Sequence, residues 1–158
     1  MPPMNTVASS QHDQQPSGSG TPQEAPPASM ADKLRSHGIT PTHQRTQIAN
    51  VLFERREHLT AERILGLVNA RYAESSKATV YNTLKLFVGK KLIRELNVDS
   101  TCVMYDPNTA PHHHFHDVET GRLTDIPDDQ VRLAGMPALP PGTVADGVDI
   151  IIRTRSVA

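Results

Sequence analysis

Histidine side chains are concentrated in one short segment of this 158-residue chain. Four of the eight histidines lie between His112 and His116, and the carboxylate of Asp117 follows them. Imidazole is a common ligand of transition-metal ions and alternate residues of a strand share a face, so His112 and His114 could hold one ion while His113 faces away. A complete site needs further ligands from elsewhere in the fold. Without them the run is equally typical of a solvated polar strand.

The chain has one cysteine, Cys102, which excludes an internal disulfide and any zinc site built from several cysteines. Free cysteine is often buried, so we expect Cys102 to be a small apolar residue rather than a ligand or a sensor. The sequence has no long apolar run and no charged-then-apolar leader. This pattern predicts a cytoplasmic protein that does not enter a membrane.

Charge is distributed unequally along the chain, although the formal net charge is only -1. Residues 30–100 contain 12 Lys+Arg against 7 Asp+Glu, whereas residues 101–158 contain 4 against 8. A basic half joined to an acidic, histidine-bearing half indicates a polyanion-binding domain attached to a domain that attracts cations. Taken alone, an excess of this size also fits ordinary surface variation.

The elements that position these residues fall into a tail and two domains. Residues 1–29 hold six of the 13 prolines with Ser, Gly and Gln, which predicts a disordered tail. Capping residues and apolar spacing then predict helices over 30–35 after Ser29, from Pro41 and Thr42 onward, over 61–68 after Thr60 and over 77–87 after Ser76. Alternating strands follow at 92–96 and 102–105. Helices followed by a hairpin are typical of a winged helix, which we place at residues 30–106.

Residues 107–158 form the second predicted domain. Strands are expected over 112–118, 122–126 and 148–153, with a short helical stretch opened by Pro127. The fold class is therefore α+β, with a winged helix followed by a small α/β domain. Three strands bury little surface, so we expect two copies to pair their sheets as a homodimer.

The fourth helix is the candidate DNA-reading element. In a winged helix a late helix enters the major groove and the hairpin lies over the phosphate backbone. The candidate contacts to a double-stranded operator are Lys77, Thr79, Tyr81, Asn82 and Lys85 on this helix and Arg94 on the hairpin. A surface helix with a routine mix of charges is the alternative interpretation.

Several motifs in order resemble the ferric uptake regulator (Fur) superfamily. The motifs are Gly38–Arg45, His58–Glu62, Ala78–Leu84 and Tyr105-Asp106 ahead of the histidine cluster. The resemblance implies a dimeric, metal-responsive transcription factor with an N-terminal winged helix and a C-terminal α/β dimerisation domain. It carries the regulatory metal site of that family onto His58, Asp106, His112, His114 and Asp125. Carboxylates beside imidazoles favour Fe(II) or Mn(II), and Zn(II) remains open.

One departure from the family pattern narrows the resemblance. Where many members have their first Cys-x-x-Cys pair, this chain has Asp117-Val118-Glu119-Thr120, so a four-cysteine structural zinc is excluded. Together with the triple histidine, this resembles the iron response regulator (Irr) branch, whose members sense iron through haem. Haem iron accepts an axial histidine, and His113 or His116 could supply it or bind a second ion.

The leading hypothesis is an iron-responsive repressor of iron or haem homeostasis genes, and not an enzyme. Fur relatives generally bind DNA when metallated, whereas the Irr branch tends to release DNA when haem arrives, and the sequence leaves the sign open. A zinc- or manganese-responsive regulator is one alternative. A small metalloenzyme using the His112-x-His114 pair is another, although the chain has no His-Glu-x-x-His motif.

Overall fold

The computed structural model describes residues 29–72 and 75–157. The predicted tail, residues 1–29, lies outside these ranges except for Ser29. The helices are α1 Met30–Ser36, α2 His43–Arg55, α3 Ala61–Arg71 and α4 Lys77–Gly89. The strands are β1 Arg94–Asn97, β2 Val103–Asp106, β3 His112–Asp117, β4 Leu123–Pro127 and β5 Ile151–Thr154, with one 3-10 turn at Asp128–Gln130. None of the helices in these two stretches is long and apolar enough to cross a bilayer.

The three predicted helix caps, Ser29, Thr60 and Ser76, are confirmed, and Thr42 caps α2 in the same way. The side-chain oxygens of Ser29, Thr42, Thr60 and Ser76 each accept a hydrogen bond from the backbone N–H three residues further on. Helix α2 begins at His43, so the predicted opening residue Pro41 stands just outside it.

The core of the first half lies between the four helices. One face of α4, formed by Val80, Leu84 and Phe87, is fully buried, as its apolar spacing predicts. These side chains pack against buried residues of the other helices, among them Leu34, Ile48, Leu52, Ile64 and Val68. Burial of each such side chain contributes about 1.5–3 kcal/mol. The packing therefore holds α4 with its polar face outward.

Strands β1 and β2 form the predicted hairpin, with Arg94 opposite Asp106. The hairpin starts two residues later than predicted, because the Leu92 N–H donates to the Phe87 carbonyl at 2.9 Å and so still belongs to the end of α4. An isolated bridge pairs Leu59 with Tyr105. This bridge brings the loop between α2 and α3 against the end of β2.

The second sheet has the order β4-β3-β5. Strand β3 runs antiparallel to β4 and parallel to β5. Gly121, with φ 73°, closes the turn between β3 and β4, and its N–H donates to the Asp117 carbonyl at 2.8 Å. The last strand is shorter than predicted, starting at Ile151. Three strands in the second half are confirmed.

The hairpin packs on the second sheet through a contact that we call the wing–sheet junction. Leu96 and Val98 of the hairpin and Leu123 of β4 form its buried cluster, and Cys102 packs against them. The Arg153 guanidinium of β5 donates to the Val98 carbonyl at 3.3 Å. Cys102 was predicted to be buried but is only half-buried; it contributes apolar packing, and burial raises the pKa of its thiol.

Candidate metal centre

Five side chains from both halves of the fold converge on one point. Each offers one ligand atom, and these atoms all lie within 4.8 Å of one another. The residues are His58, Asp106, His112, His114 and Asp125. They are the five residues onto which the resemblance to the family carries its regulatory metal site.

Separate elements position these ligands. The bridge from Leu59 to Tyr105 holds His58 beside the last residue of β2, Asp106. His112 and His114 are alternate residues of β3 and so share a face. Asp125 lies directly opposite His114 across the β3–β4 ladder.

The two carboxylates face three imidazole nitrogens. Asp106 Oδ2 lies 2.8 Å from His112 Nε2, 3.3 Å from His58 Nε2 and 3.5 Å from His114 Nε2. Asp125 Oδ1 lies 3.1 Å from His58 Nε2 and 3.7 Å from the Nε2 atoms of His112 and His114. Three nitrogens and two oxygens therefore surround one small volume, which suits Fe(II), Mn(II) or Zn(II).

The hydrogen bonding of the imidazoles supports a bound cation. Among the described residues, His58 Nε2 and both ring nitrogens of His114 are buried without a hydrogen-bond partner. Buried polar atoms without partners cost free energy. An ion between the imidazoles and the carboxylates would take up the Nε2 lone pairs and neutralise the oxygens, so the donor set fits a divalent metal.

His112 adds a separate argument. Its Nδ1 lies 2.7 Å from the Ala110 carbonyl, which can only accept, so Nδ1 carries the proton. An Nε2 without a proton directs its lone pair at Asp106 Oδ2, 2.8 Å away. Two acceptors at this distance need a cation between them, which is either a proton or a metal ion.

Asp106 is held in the ionised state. Burial raises the pKa of this carboxyl, but the neighbouring imidazoles of His114 and His58 and a hydrogen bond from the Asn108 N–H outweigh burial, and the pKa lies well below its usual range. The Asn108 N–H donates to Oδ1 at 2.8 Å, which leaves Oδ2 for the metal site. The carboxylate is thus prepared to bind a cation.

The site opens to solvent at Asp125. The Asp125 side chain is 44% exposed, whereas the His114 side chain is fully buried. Clefts of about 430 Å³ and 420 Å³ both reach Asp125 and Arg56. An ion can therefore enter and exchange on the Asp125 side.

The other two histidines of the run lie apart from this site. His113 faces the opposite side of β3, as predicted, with its Nε2 3.4 Å from Asp128 Oδ1. Its Nδ1 accepts a hydrogen bond from the Ile150 N–H at 3.4 Å. His116 is buried opposite Leu123, and its Nδ1 has no hydrogen-bond partner within the described stretches. His113 and His116 therefore lie on different faces of β3.

The exposed face of α4 carries the candidate DNA contacts. Lys77, Asn82 and Lys85 are exposed, while Thr79 and Tyr81 are half-buried. The Lys77 ammonium lies 5.4 Å from the centre of the Tyr81 ring. This face is the one that core packing leaves free.

Glu62 of α3 is a residue that the sequence did not single out. It accepts a hydrogen bond from the Tyr81 hydroxyl. The contact lowers the pKa of Glu62 and raises the pKa of Tyr81. In the sequence it is the last residue of the His58–Glu62 motif, and no pattern there pairs it with Tyr81, since the approach of α4 depends on tertiary packing.

Arg94 has a protein partner in this structure. Its guanidinium pairs with Asp149, just before β5. The side chain is turned to the second sheet and is only 23% exposed. Contact of Arg94 with the DNA backbone would have to replace this ion pair, and it stays a prediction.

The fold and the site define a class of protein: a winged helix is joined to a small α/β half, and both halves contribute ligands to one histidine–carboxylate site. The chain belongs to the Ferric uptake regulator family, whose family model matches residues 36–135. Family membership confirms the predicted superfamily and fold class. It also decides against the metalloenzyme alternative, since members of the family are regulators.

Individual relatives agree with this placement. The peroxide-responsive repressor PerR of Staphylococcus epidermidis is 30% identical over 93 residues, which are 59% of this chain and 62% of that protein. The chain thus spans about three fifths of the length of such curated relatives.

Solved structures share the fold. The ferric uptake regulator of Pseudomonas aeruginosa with manganese has a TM-score of 0.62 at 21% identity, covering 80% of this chain and 97% of that one. A zinc-bound manganese uptake regulator has a TM-score of 0.61 at 19% identity, covering 82% and 100%. At these identities the likeness concerns the fold alone.

Proposed function

We propose that this protein is a metal-responsive transcriptional repressor whose affinity for DNA depends on an ion at the five-residue site. One observation carries the proposal: His58 and Asp106 come from the winged-helix half, whereas His112, His114 and Asp125 come from the second sheet. An ion held by both groups would link the two halves. Acting on DNA, such a regulator would work in the cytoplasm.

The link supplies a mechanism. The ion would neutralise the two carboxylates and occupy the imidazole lone pairs. His58 would then be drawn to the second sheet, and the angle between the halves would be set by occupancy. In a dimer that angle sets the distance between the two reading helices, and hence the spacing of the half-sites they fit.

DNA recognition is assigned to the polar face of α4. Lys77 and Lys85 would contact phosphates, whereas Tyr81 and Asn82 can reach base edges in the major groove. Thr79, in the first turn of α4, would add a backbone contact. The exposure of this face and the winged-helix fold support the assignment.

A homodimer would form through the outer face of the second sheet. Phe115 of β3 and Ile152 of β5 are register partners on this face, and their exposed fractions are 40% and 41%. Val148 adds another exposed apolar side chain. Neighbouring large apolar side chains left in solvent are typical of an interface.

The ion is assigned as Fe(II) or Mn(II), because two carboxylates accompany the three imidazoles. We infer control of iron or haem homeostasis genes from the resemblance to the Irr branch. Zn(II) is the alternative ion, and this alternative is supported by the zinc-bound manganese uptake regulator, which has the same fold. Haem is the competing ligand, with His113 or His116 as its axial nitrogen donor.

A peroxide response is a second candidate function. Relatives at 30% identity carry the name peroxide-responsive repressor, and the exposed Asp125 leaves the metal accessible to small solutes. Hydrogen peroxide oxidises Fe(II) far more readily than Mn(II). DNA release by peroxide from the Fe(II) form and not from the Mn(II) form would support this function.

Fluorescence anisotropy tests the proposal. A DNA site is first selected from a random pool, and Fe(II), Mn(II), Zn(II) and haem are then titrated separately into the protein–DNA mixture. We expect at least one metal to change the DNA affinity by about 5–150-fold. A gain with metal is the sign of Fur-type regulators, and a loss with haem is the sign of the Irr branch.

His58→Ala tests the link between the halves. We expect its DNA affinity to become insensitive to metal while light scattering still shows the wild-type oligomer. A metal response as large as that of the wild type would overturn the mechanism.

A further inference from the structure

Arg94 ties three segments of the chain together. Its guanidinium pairs with Asp149, which precedes β5. The Nη1 atom of Arg94 also donates to the Ala110 carbonyl at 3.4 Å. Arg94 itself lies on β1, directly opposite Asp106. One side chain thus joins the hairpin, the loop ahead of β3 and the segment ahead of β5.

The Ala110 carbonyl connects Arg94 to a metal ligand. The same oxygen accepts a hydrogen bond from His112 Nδ1 at 2.7 Å. Arg94 Nη1 and His112 Nδ1 are 3.5 Å apart, and both are donors that converge on this one acceptor. The shared carbonyl fixes the ring so that Nε2 faces the metal site. Outer partners of this kind orient metal-binding histidines and raise their basicity.

The contact with Asp149 adds a link between the halves. Arg94 belongs to the winged helix, and Asp149 precedes a strand of the second sheet. A second contact between the same halves is the hydrogen bond from the Arg153 guanidinium of β5 to the Val98 carbonyl of the hairpin. A shift of the hairpin would therefore disturb the carbonyl that holds His112, and a shift of His112 would disturb the hairpin.

We propose that Arg94 is a positioning residue that orients His112 for metal binding and, through Asp149, couples the metal site to the hairpin. The coupling part rests on the proposed function, whereas the orientation of His112 does not. The two parts are separable, because Asp149→Asn weakens the ion pair but leaves the Arg94 guanidinium near Ala110.

The first measurement is Mn(II) affinity without DNA, by competition with a chelating dye. We expect Arg94→Gln to weaken binding about tenfold, at the lower end of what loss of an outer partner costs. Asp149→Asn should stay within about threefold of the wild type. Arg122→Gln is the matched control, because Arg122 is exposed, lines the cleft at Asp125 and has no ion pair among the described residues. Its removal should not weaken Mn(II) binding, because it only takes a positive charge away from the cleft.

The second measurement is the ratio of DNA affinities with and without saturating Mn(II). Both Arg94→Gln and Asp149→Asn should reduce this ratio by at least about threefold, and the double variant should lose no more than the worse single variant. A purely structural role would lower the melting temperature without changing this ratio.

Wild-type Mn(II) affinity in Arg94→Gln, or an equal loss in Arg122→Gln, would overturn the orientation role. Unchanged ratios in both single variants would overturn the coupling role. If Arg94→Gln fails to fold, Arg94→Lys is measured instead. Lysine keeps the charge but has one nitrogen in place of Nη1 and Nη2, which contact Ala110 and Asp149 separately. Wild-type Mn(II) affinity in this variant would also overturn the proposal. If Mn(II) does not change the DNA affinity of the wild-type protein, the proposed function is contradicted. The dye competition would still test whether Arg94 orients His112.

Discussion

Asp125→Asn removes one oxygen ligand of the metal site with almost no change in shape. The side chain is 44% exposed, and its nearest site neighbour is His58 Nε2 at 3.1 Å. Without metal the substitution should change stability by less than about 0.5 kcal/mol, as exposed substitutions usually do. The effect should therefore appear only when metal is present.

The expected size follows from linkage. At a Mn(II) concentration 100 times its Kd, binding stabilises the wild type by about 2.7 kcal/mol. At about 4 °C per kcal/mol for a protein of this size, the melting temperature rises by about 10 °C. Loss of a direct ligand should weaken binding at least about 100-fold, since even outer partners cost 10–100-fold. Only about 0.4 kcal/mol then remains, a rise of about 1–2 °C.

The assay is a thermal melt followed by circular dichroism at two Mn(II) concentrations. A 100-fold increase in Mn(II) should restore the full rise in the variant, which separates lost affinity from lost folding. Asp128→Asn is the matched control, since Asp128 is 63% exposed and faces His113 on the other side of β3. A rise of about 10 °C in Asp125→Asn at the lower concentration would refute the assigned site. An equal loss in Asp128→Asn would place the ion at His113.

Three further predictions concern DNA and assembly. Glu62→Gln removes a negatively charged carboxylate that accepts a hydrogen bond from the Tyr81 hydroxyl. The affinity for scrambled DNA should therefore rise up to about fivefold, and the preference for the selected site should fall. Fluorescence anisotropy on both sequences measures these two changes. An unchanged preference would mean that Glu62 does not position Tyr81. Lys85→Ala should reduce the slope of log affinity against log salt by about 0.9, and an unchanged slope would place Lys85 away from phosphate. Phe115→Lys should raise the dimer dissociation constant, measured by light scattering, at least about 100-fold. The affinity for Mn(II) should be retained, because Phe115 faces away from His112. A dimer as tight as that of the wild type would exclude this face as the interface.

Local features of this protein were predictable because their causes are local. A cap needs only a hydroxyl three residues ahead of a backbone N–H, and three of the four caps, Ser29, Thr60 and Ser76, were predicted from the sequence. The buried face of α4 follows from the spacing of Val80, Leu84 and Phe87. Strand ends were less accurate, because the N–H of Leu92 completes the end of α4 instead of joining the ladder.

The metal site was predictable only in part. Alternation along β3 separates His112 and His114 from His113, and that separation is confirmed. Periodicity could not select His58, which lies 48 residues from Asp106 along the chain and reaches it because Leu59 pairs with Tyr105. Its selection came from resemblance to the family.

By itself the sequence determined the order of the elements, the polar face of α4 and the alternation of the histidine run, since each depends on neighbours within a few residues. Only the tertiary structure decided which charged groups have partners. Arg94 and Asp149, like Tyr81 and Glu62, are far apart in sequence and belong to different elements. An arginine or tyrosine that the sequence predicts to be free can therefore be hydrogen-bonded to a distant carboxylate. No local pattern shows this, because the packing of the elements sets such distances.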